Sequence, residues 1–224
     1  MKSLKNIFNL IVFETSLFFL NNLTRPILIY IGGSFLLVLI NFFLFNSLSN
    51  ALPWSILFIS GVNIAYAPFM FSWETKNHIN KISNYSISNI ILAKWLFIVI
   101  YVIVSTGISV LIFISNWSLI KNIILSHSVF LIGTISFVDI LYASKHIVFM
   151  DIDSKKGYRQ HLNNKRWLIC FLPLFFSVLY GIIGFFCEPL LDYYCFLLYF
   201  IGALSIFAIY FWIVLIKKYV KGGV

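Results

Sequence analysis

Residues 95–115 read Trp95-Leu96-Phe97-Ile98-Val99-Ile100-Tyr101-Val102-Ile103-Val104-Ser105-Thr106-Gly107-Ile108-Ser109-Val110-Leu111-Ile112-Phe113-Ile114-Ser115, without a single charge. A helix needs about 20 mostly apolar residues to cross the hydrocarbon of a bilayer. The run is continuously apolar, with none of the alternation that marks a strand of a membrane barrel. A helix is therefore the only secondary structure that satisfies its own backbone at that depth. Five further stretches have the same character: about 27–46, 52–72, 123–143, 167–187 and 193–216. The fold class predicted is all-α, a polytopic bundle of six transmembrane helices over residues 25–216.

Composition supports this class and excludes others. Of 224 residues, 61% are hydrophobic, 19% aromatic and only 10% charged, with a mean hydropathy of +0.98. Soluble domains are about 45–50% apolar and about 25% charged, so one water-soluble core cannot hide this much apolar side chain. The abundance of aromatic and branched residues excludes disorder.

The connections alternate in character. Loops 47–51, 116–122 and 188–192 are short, with only Lys121, Glu188 and Asp192 as charges. Loops 73–94 and 144–166 are longer and basic. The first carries Lys76, Lys81 and Lys94; the second carries Lys145, Lys155, Lys156, Arg159, Lys165 and Arg166. Lys2, Lys5 and Arg25 precede the first span, and a basic tail at 217–224 follows the last. Excess Lys and Arg collect on the cytoplasmic side, which predicts that both termini and both long loops are cytoplasmic, in a multi-pass protein of the bacterial inner (plasma) membrane. Fifteen of the sixteen Lys and Arg obey this assignment; Lys121 does not. The net charge of +9 is thereby assigned to topology and not to nucleic acid, for which no binding motif is present. Trp54, Trp73, Trp95, Trp117, Trp167 and Trp212 all fall at or near span ends, where an apolar ring with one polar N–H is at home.

Residues 1–24 begin with two lysines and turn apolar, but Glu14 interrupts the run and no small-residue cleavage pattern follows. They read as a retained amphipathic interfacial helix, with Phe8, Ile11, Leu17 and Phe18 in lipid and Lys5, Asn9 and Ser16 facing water. A short buried prelude to the first span is the alternative.

Chemistry-bearing motifs are sparse. There is no GxxxxGK[ST], HExxH or GxSxG. His78, His127, His146 and His161 are scattered and read as solvated or interfacial. Asp151 and Asp153 lie beside Lys155 and Lys156 and read as surface ion pairs. Cys170, Cys187 and Cys195 have no metal-site spacing, although Cys187 and Cys195 both fall near the outer face, where a disulfide or two buried thiols would suit. No catalytic, cofactor-binding or metal-ligating residue is therefore predicted. Asp139 is the one clear ionisable residue within a span, and such a group is a functional hypothesis by default. Gly32-Gly33-Ser34, Gly181 and Gly184 read as points of close helix approach, Asn41 and Asn63 as interhelical donors, and Pro68 as a kink.

The loop after the second span, Phe71-Ser72-Trp73-Glu74-Thr75-Lys76 through Ala93-Lys94-Trp95, resembles the permease subunits of six-span ABC exporters, closest to a group of permease-like membrane proteins from Bacteroidetes. In that family an aromatic-rich second span ends in a Phe-x-Trp-Glu-like sequence. A cytoplasmic coupling helix follows, then an Ala-Lys-aromatic entry to the third span. The resemblance covers roughly residues 69–96 specifically and extends more loosely to the six-span layout. It implies an export subunit that binds no nucleotide itself and is not an enzyme. ATP would be consumed on a separate cytoplasmic ABC ATPase, and a second permease copy or a related permease would complete the unit in the lipid. Glu74, Lys76, His78, Ile79, Lys81 and Ile82 would be the ATPase-coupling residues. Two other functions fit the composition: a non-catalytic membrane scaffold or accessory subunit, and an integral membrane enzyme acting on lipid or peptide.

Overall fold

The computed structural model describes residues 2–20, 25–67, 70–71, 85–145, 172–173, 175–176, 178–180, 182–183 and 190–222. Among them every regular element is helical. Helix α1 spans Lys2–Leu20 and α2 spans Arg25–Leu39, continuing through a π turn at Ile40–Leu44. Asn46, a residue type that tolerates the left-handed region, turns the chain there with φ 48°. Ser47 then caps α3 (Leu48–Ile59), its hydroxyl accepting from the Asn50 amide at 3.4 Å. The short α4 (Gly61–Ala65) follows. Ser86 caps α5 (Ile87–Ile112) in the same way. Helix α6 (Trp117–Phe130) passes through a second π turn, Leu131–Ile135, into α7 (Ser136–Lys145). Helices α8 (Leu190–Phe207) and α9 (Ile209–Gly222) complete the bundle.

Three helical stretches are long and apolar enough to cross a membrane: Ile87–Ile112, Ile120–Lys145 and Leu190–Phe207. Leu28–Leu44 and Leu48–Ile59 are shorter apolar helices. The predicted span at 167–187 falls largely outside the described residues, as does the kink at Pro68. The surface has the make-up of a membrane protein. Along α8, Tyr193, Phe196, Phe200, Leu204 and Phe207 point outward, and α5 does the same with Ile100, Ile103, Val104 and Leu111. So much contiguous apolar exterior suits lipid and not water.

Polar groups lie inside and tie the helices together, chiefly through α5. Ser55 Oγ donates to Ser109 Oγ at 2.9 Å, linking α3 to α5. Thr106 and Ser128 share a bond of 2.7 Å between α5 and α6. Tyr101 OH donates to the Phe58 carbonyl at 2.7 Å, and Trp95 Nε1 to the Ile132 carbonyl, within the second π turn, at 2.9 Å. Such side-chain bonds are a main source of cohesion where hydrophobic association between helices is absent.

Several expectations are corrected by the packing. Helix α1 is not simply an interfacial layer: it packs along α5 and turns Leu10, Glu14 and Phe18 into the core. Phe18, expected in lipid, is buried, whereas Lys5, Phe8 and Asn9 remain exposed. The physical cause is Glu14, whose carboxylate needs a partner that only the bundle supplies. Asn41 donates to the Leu37 carbonyl of its own helix, not across helices. Gly32 and Gly33 have open space around them; the close approach is instead made by Gly133 and Gly202, between α6–α7 and α8. Trp95 and Trp212 are not merely interfacial. They sandwich Phe137, with both centroid separations 5.5 Å and interplanar angles of 8° and 3°. Cys195 is a buried free thiol; Cys187 and Cys170 lie outside the described residues.

Candidate functional site

Two buried polar clusters draw on the short helix α4 and the residue that ends it, one through Tyr66 and one through Asn63. The first joins α1 to α5. Lys94 Nζ donates to Glu14 Oε1 in an ion pair with both side chains buried, and Tyr66 OH donates to Glu14 Oε2 at 2.8 Å. Lys94 Nζ also donates to the Met70 carbonyl at 3.0 Å and lies 5.0 Å from the centre of the Phe71 ring. Phe18, Tyr66 and Phe97 close round the pair, their centroids 5.1–5.5 Å apart. This aromatic collar keeps water out and makes the charges depend on one another. A buried ion pair repays its desolvation only when its remaining hydrogen-bonding capacity is used, and here the tyrosine and the carbonyl contribute to that.

Sequence reasoning missed this cluster. It counted Lys94 among the loop charges and read Glu14 as an interruption of a surface helix. The lysine in fact lies about two turns inside α5 and is wholly buried. A signal was present: Leu10, Glu14 and Phe18 are spaced by four residues, which puts them on one face of α1.

The second cluster contains the predicted residue Asp139. Asn63 Nδ2 donates to Asp139 Oδ2 at 3.1 Å and lies 3.3 Å from Ser136 Oγ. The expected interhelical role of Asn63 is thus realised, between α4 and α7. The Ser136 hydroxyl donates to the Leu131 carbonyl, the carbonyl at the start of the second π turn, so its proton is committed. Asp139 and Asn63 are wholly buried, and Asp139 Oδ1 and Asn63 Oδ1 have no hydrogen-bond partner. Phe137, the centre of the Trp95–Phe137–Trp212 stack, is two residues before Asp139 on α7.

In the last turn of α6, His127 is buried, not solvated as expected. Its Nδ1 is 2.9 Å from the Ile123 carbonyl and its Nε2 is 3.2 Å from the Tyr194 hydroxyl, which itself donates to the Phe176 carbonyl at 2.9 Å. This chain of bonds fastens α6 to α8. Among the described residues no group of three or more His, Cys, Asp or Glu could hold a metal.

The predicted coupling residues Glu74, Lys76, His78, Ile79, Lys81 and Ile82 lie outside the described residues, as do His78's counterparts His146 and His161 and the acids Asp151 and Asp153. What the structure describes is where their loop leaves and re-enters the bundle: at Met70–Phe71 and at Tyr85–Ser86. No family model, curated protein or solved structure matches the chain.

Proposed function

We propose that this chain is the membrane-spanning permease subunit of an ABC-type exporter, inserted in the inner membrane with six crossings and both termini cytoplasmic. A separate cytoplasmic ATPase docks on loop 73–94 and hydrolyses the ATP. A second permease, identical or related, supplies the other half of the path. The single observation that carries this reading is the Lys94 clamp. Its ammonium reaches the Met70 carbonyl, at the departure of the loop, and Glu14 on α1. The departure of the loop and the opening turns of α5 are therefore fastened to one another and to α1 across a buried contact. A push on such a loop moves α1 and the start of α5 as one body, the kind of rigid-body input a transport cycle requires. The resemblance of residues 69–96 supplies the identity of the pushing partner.

The test is co-purification of the full chain from its native membrane in mild detergent. An ABC ATPase is expected in the eluate. Reversing Lys76 and Lys81 to Glu should lower its recovery about tenfold, equivalent to about 1.4 kcal/mol, while the amount of inserted chain stays unchanged. Undiminished recovery would remove the loop as the docking element. ATP-dependent movement of substrate in vesicles holding both subunits separates this reading from a scaffold.

A further inference from the structure

The geometry points to Asp139 as a proton-binding site: the carboxyl takes up one proton on Oδ1 and pairs with the Asn63 side chain as an acid–amide couple. The inference does not depend on the exporter reading. It rests on hydrogen-bond accounting between two wholly buried side chains.

Asp139 on α7 and Asn63 on α4 are both wholly buried and joined by one bond, Asn63 Nδ2 to Asp139 Oδ2 at 3.1 Å. Each is left with one unpartnered atom, Asp139 Oδ1 and Asn63 Oδ1. Both atoms are acceptors, since an ionised carboxylate and an amide oxygen have no proton to give. A carboxylic acid and a primary amide satisfy each other through two antiparallel bonds. The amide N–H donates to the acid carbonyl, and the acid O–H donates to the amide oxygen. The first of these bonds is in place. In the couple we infer, the second bond takes one proton on Asp139 Oδ1, and that proton serves both orphaned oxygens. Leaving two buried acceptors unsatisfied, one of them charged, is the costly alternative.

Among the described residues no neighbour neutralises the carboxylate instead. Ser136 spends its hydroxyl proton on the Leu131 carbonyl. Of the elements packed on α7, α5 contributes Lys94, which is held by Glu14 of α1 and by the Met70 carbonyl. Helix α9 contributes Lys217, Lys218 and Tyr219, and the Tyr219 ring lies under Lys145 of α7, 4.4 Å from Nζ. Tyr66, just after α4, donates to Glu14. Among the described residues Asp139 forms no ion pair with any of these.

The consequence is a titratable joint between α4 and α7. With the proton bound, the two helices are held by two bonds and no charge. With it released, a carboxylate faces an amide oxygen in a dry pocket, and separation of the helices or entry of water becomes favourable. Proton affinity and helix separation are then reciprocally linked.

The experiment is infrared difference spectroscopy on the full-length protein in lipid nanodiscs, with aspartate carboxyls isotopically labelled to distinguish them from Glu14. A protonated-carboxyl C=O band from aspartate is expected at neutral pH. It should be lost in Asp139→Asn, and in Asn63→Ala it should persist at higher frequency because its acceptor is gone. The band in the unmutated protein is the primary readout and survives a variant that fails to fold. Absence of any protonated aspartate at neutral pH overturns the inference. An unshifted band in Asn63→Ala overturns the acid–amide pairing. Thermal stabilisation by NaCl over N-methylglucamine chloride, seen in the unmutated protein and lost in Asp139→Asn, also overturns it, since a metal cation would then occupy the place of the proton.

Discussion

Lys94→Met and Glu14→Leu, made singly, should each destabilise the protein by about 3–5 kcal/mol, while the double substitution should return most of that loss. Each single change removes one half of the buried Lys94–Glu14 ion pair inside the Phe18–Tyr66–Phe97 collar and leaves the other charge in place. Lys94→Met leaves the carboxylate with the Tyr66 hydroxyl as its one side-chain donor among the described residues. Glu14→Leu takes away the carboxylate that pairs with the ammonium, whose contacts with the Met70 carbonyl and the face of Phe71 stay. The double variant removes both charges and fills the space with apolar atoms of similar reach, which in buried ion pairs is often neutral or stabilising. Unfolding midpoints in detergent, followed by intrinsic fluorescence across the four-protein cycle, give the coupling directly. If the single losses are about 1 kcal/mol or less, as for an exposed pair, or if they simply add, the clamp is not the dry contact described. A double variant as stable as the parent, yet unable to pass an ATPase signal through the loop, would show that the charges serve transmission, with stability as their constraint.

The parts of this architecture that could be read from the sequence are those that depend on local composition. Residues 95–115 announce a helix because every residue in the run says the same thing, and α5 contains nearly all of them. Helix α5 begins two turns before the apolar run because its first residues, Ile87 to Lys94, mix polar and apolar side chains. Apolar density does not register a serine cap, and by that measure Lys94 counts with the loop. Counting basic residues as boundary markers assumes that a lysine near a span end is wet, and a partner 80 positions earlier removes that assumption. Asp139 and Asn63 were each recognisable as unusual, but nothing local links them over 76 positions. The pairing is a product of how α4 and α7 dock. Glycine misled in a third way. The doublet Gly32-Gly33 is conspicuous in the sequence but faces open space. The glycines that matter stand alone, each meaningful only against the other.

Those two glycines carry the second large effect. An alanine at Gly133 would put its Cβ 2.2 Å from the Gly202 carbonyl oxygen, and one at Gly202 would put it 2.7 Å from the Val129 carbonyl oxygen. Both obstacles are backbone, so no side-chain rotation relieves them, and helix α8 must move off the α6–α7 junction. That movement pulls apart the bond of 3.0 Å between Thr134 and Ser205 and the longer one from Thr134 to the Ile201 carbonyl. Within lipid, close packing and such bonds are what hold two helices together, because the hydrocarbon is as apolar as the side chains it would replace. Gly133→Ala should therefore cost about 3 kcal/mol, the upper end of ordinary overpacking. Gly202→Ala should cost a comparable amount. The pair together should cost less than the sum, since a crossing opened by the first methyl already accommodates the second. Gly32→Ala is the control: with no atom within 4 Å and alanine favoured over glycine in a helix by about 1 kcal/mol, it should leave the unfolding midpoint unchanged or raise it. Were Gly133→Ala to melt with Gly32→Ala, helix α8 would have to be held by something other than backbone proximity, and the His127–Tyr194–Phe176 chain in the last turn of α6 would become the principal fastening.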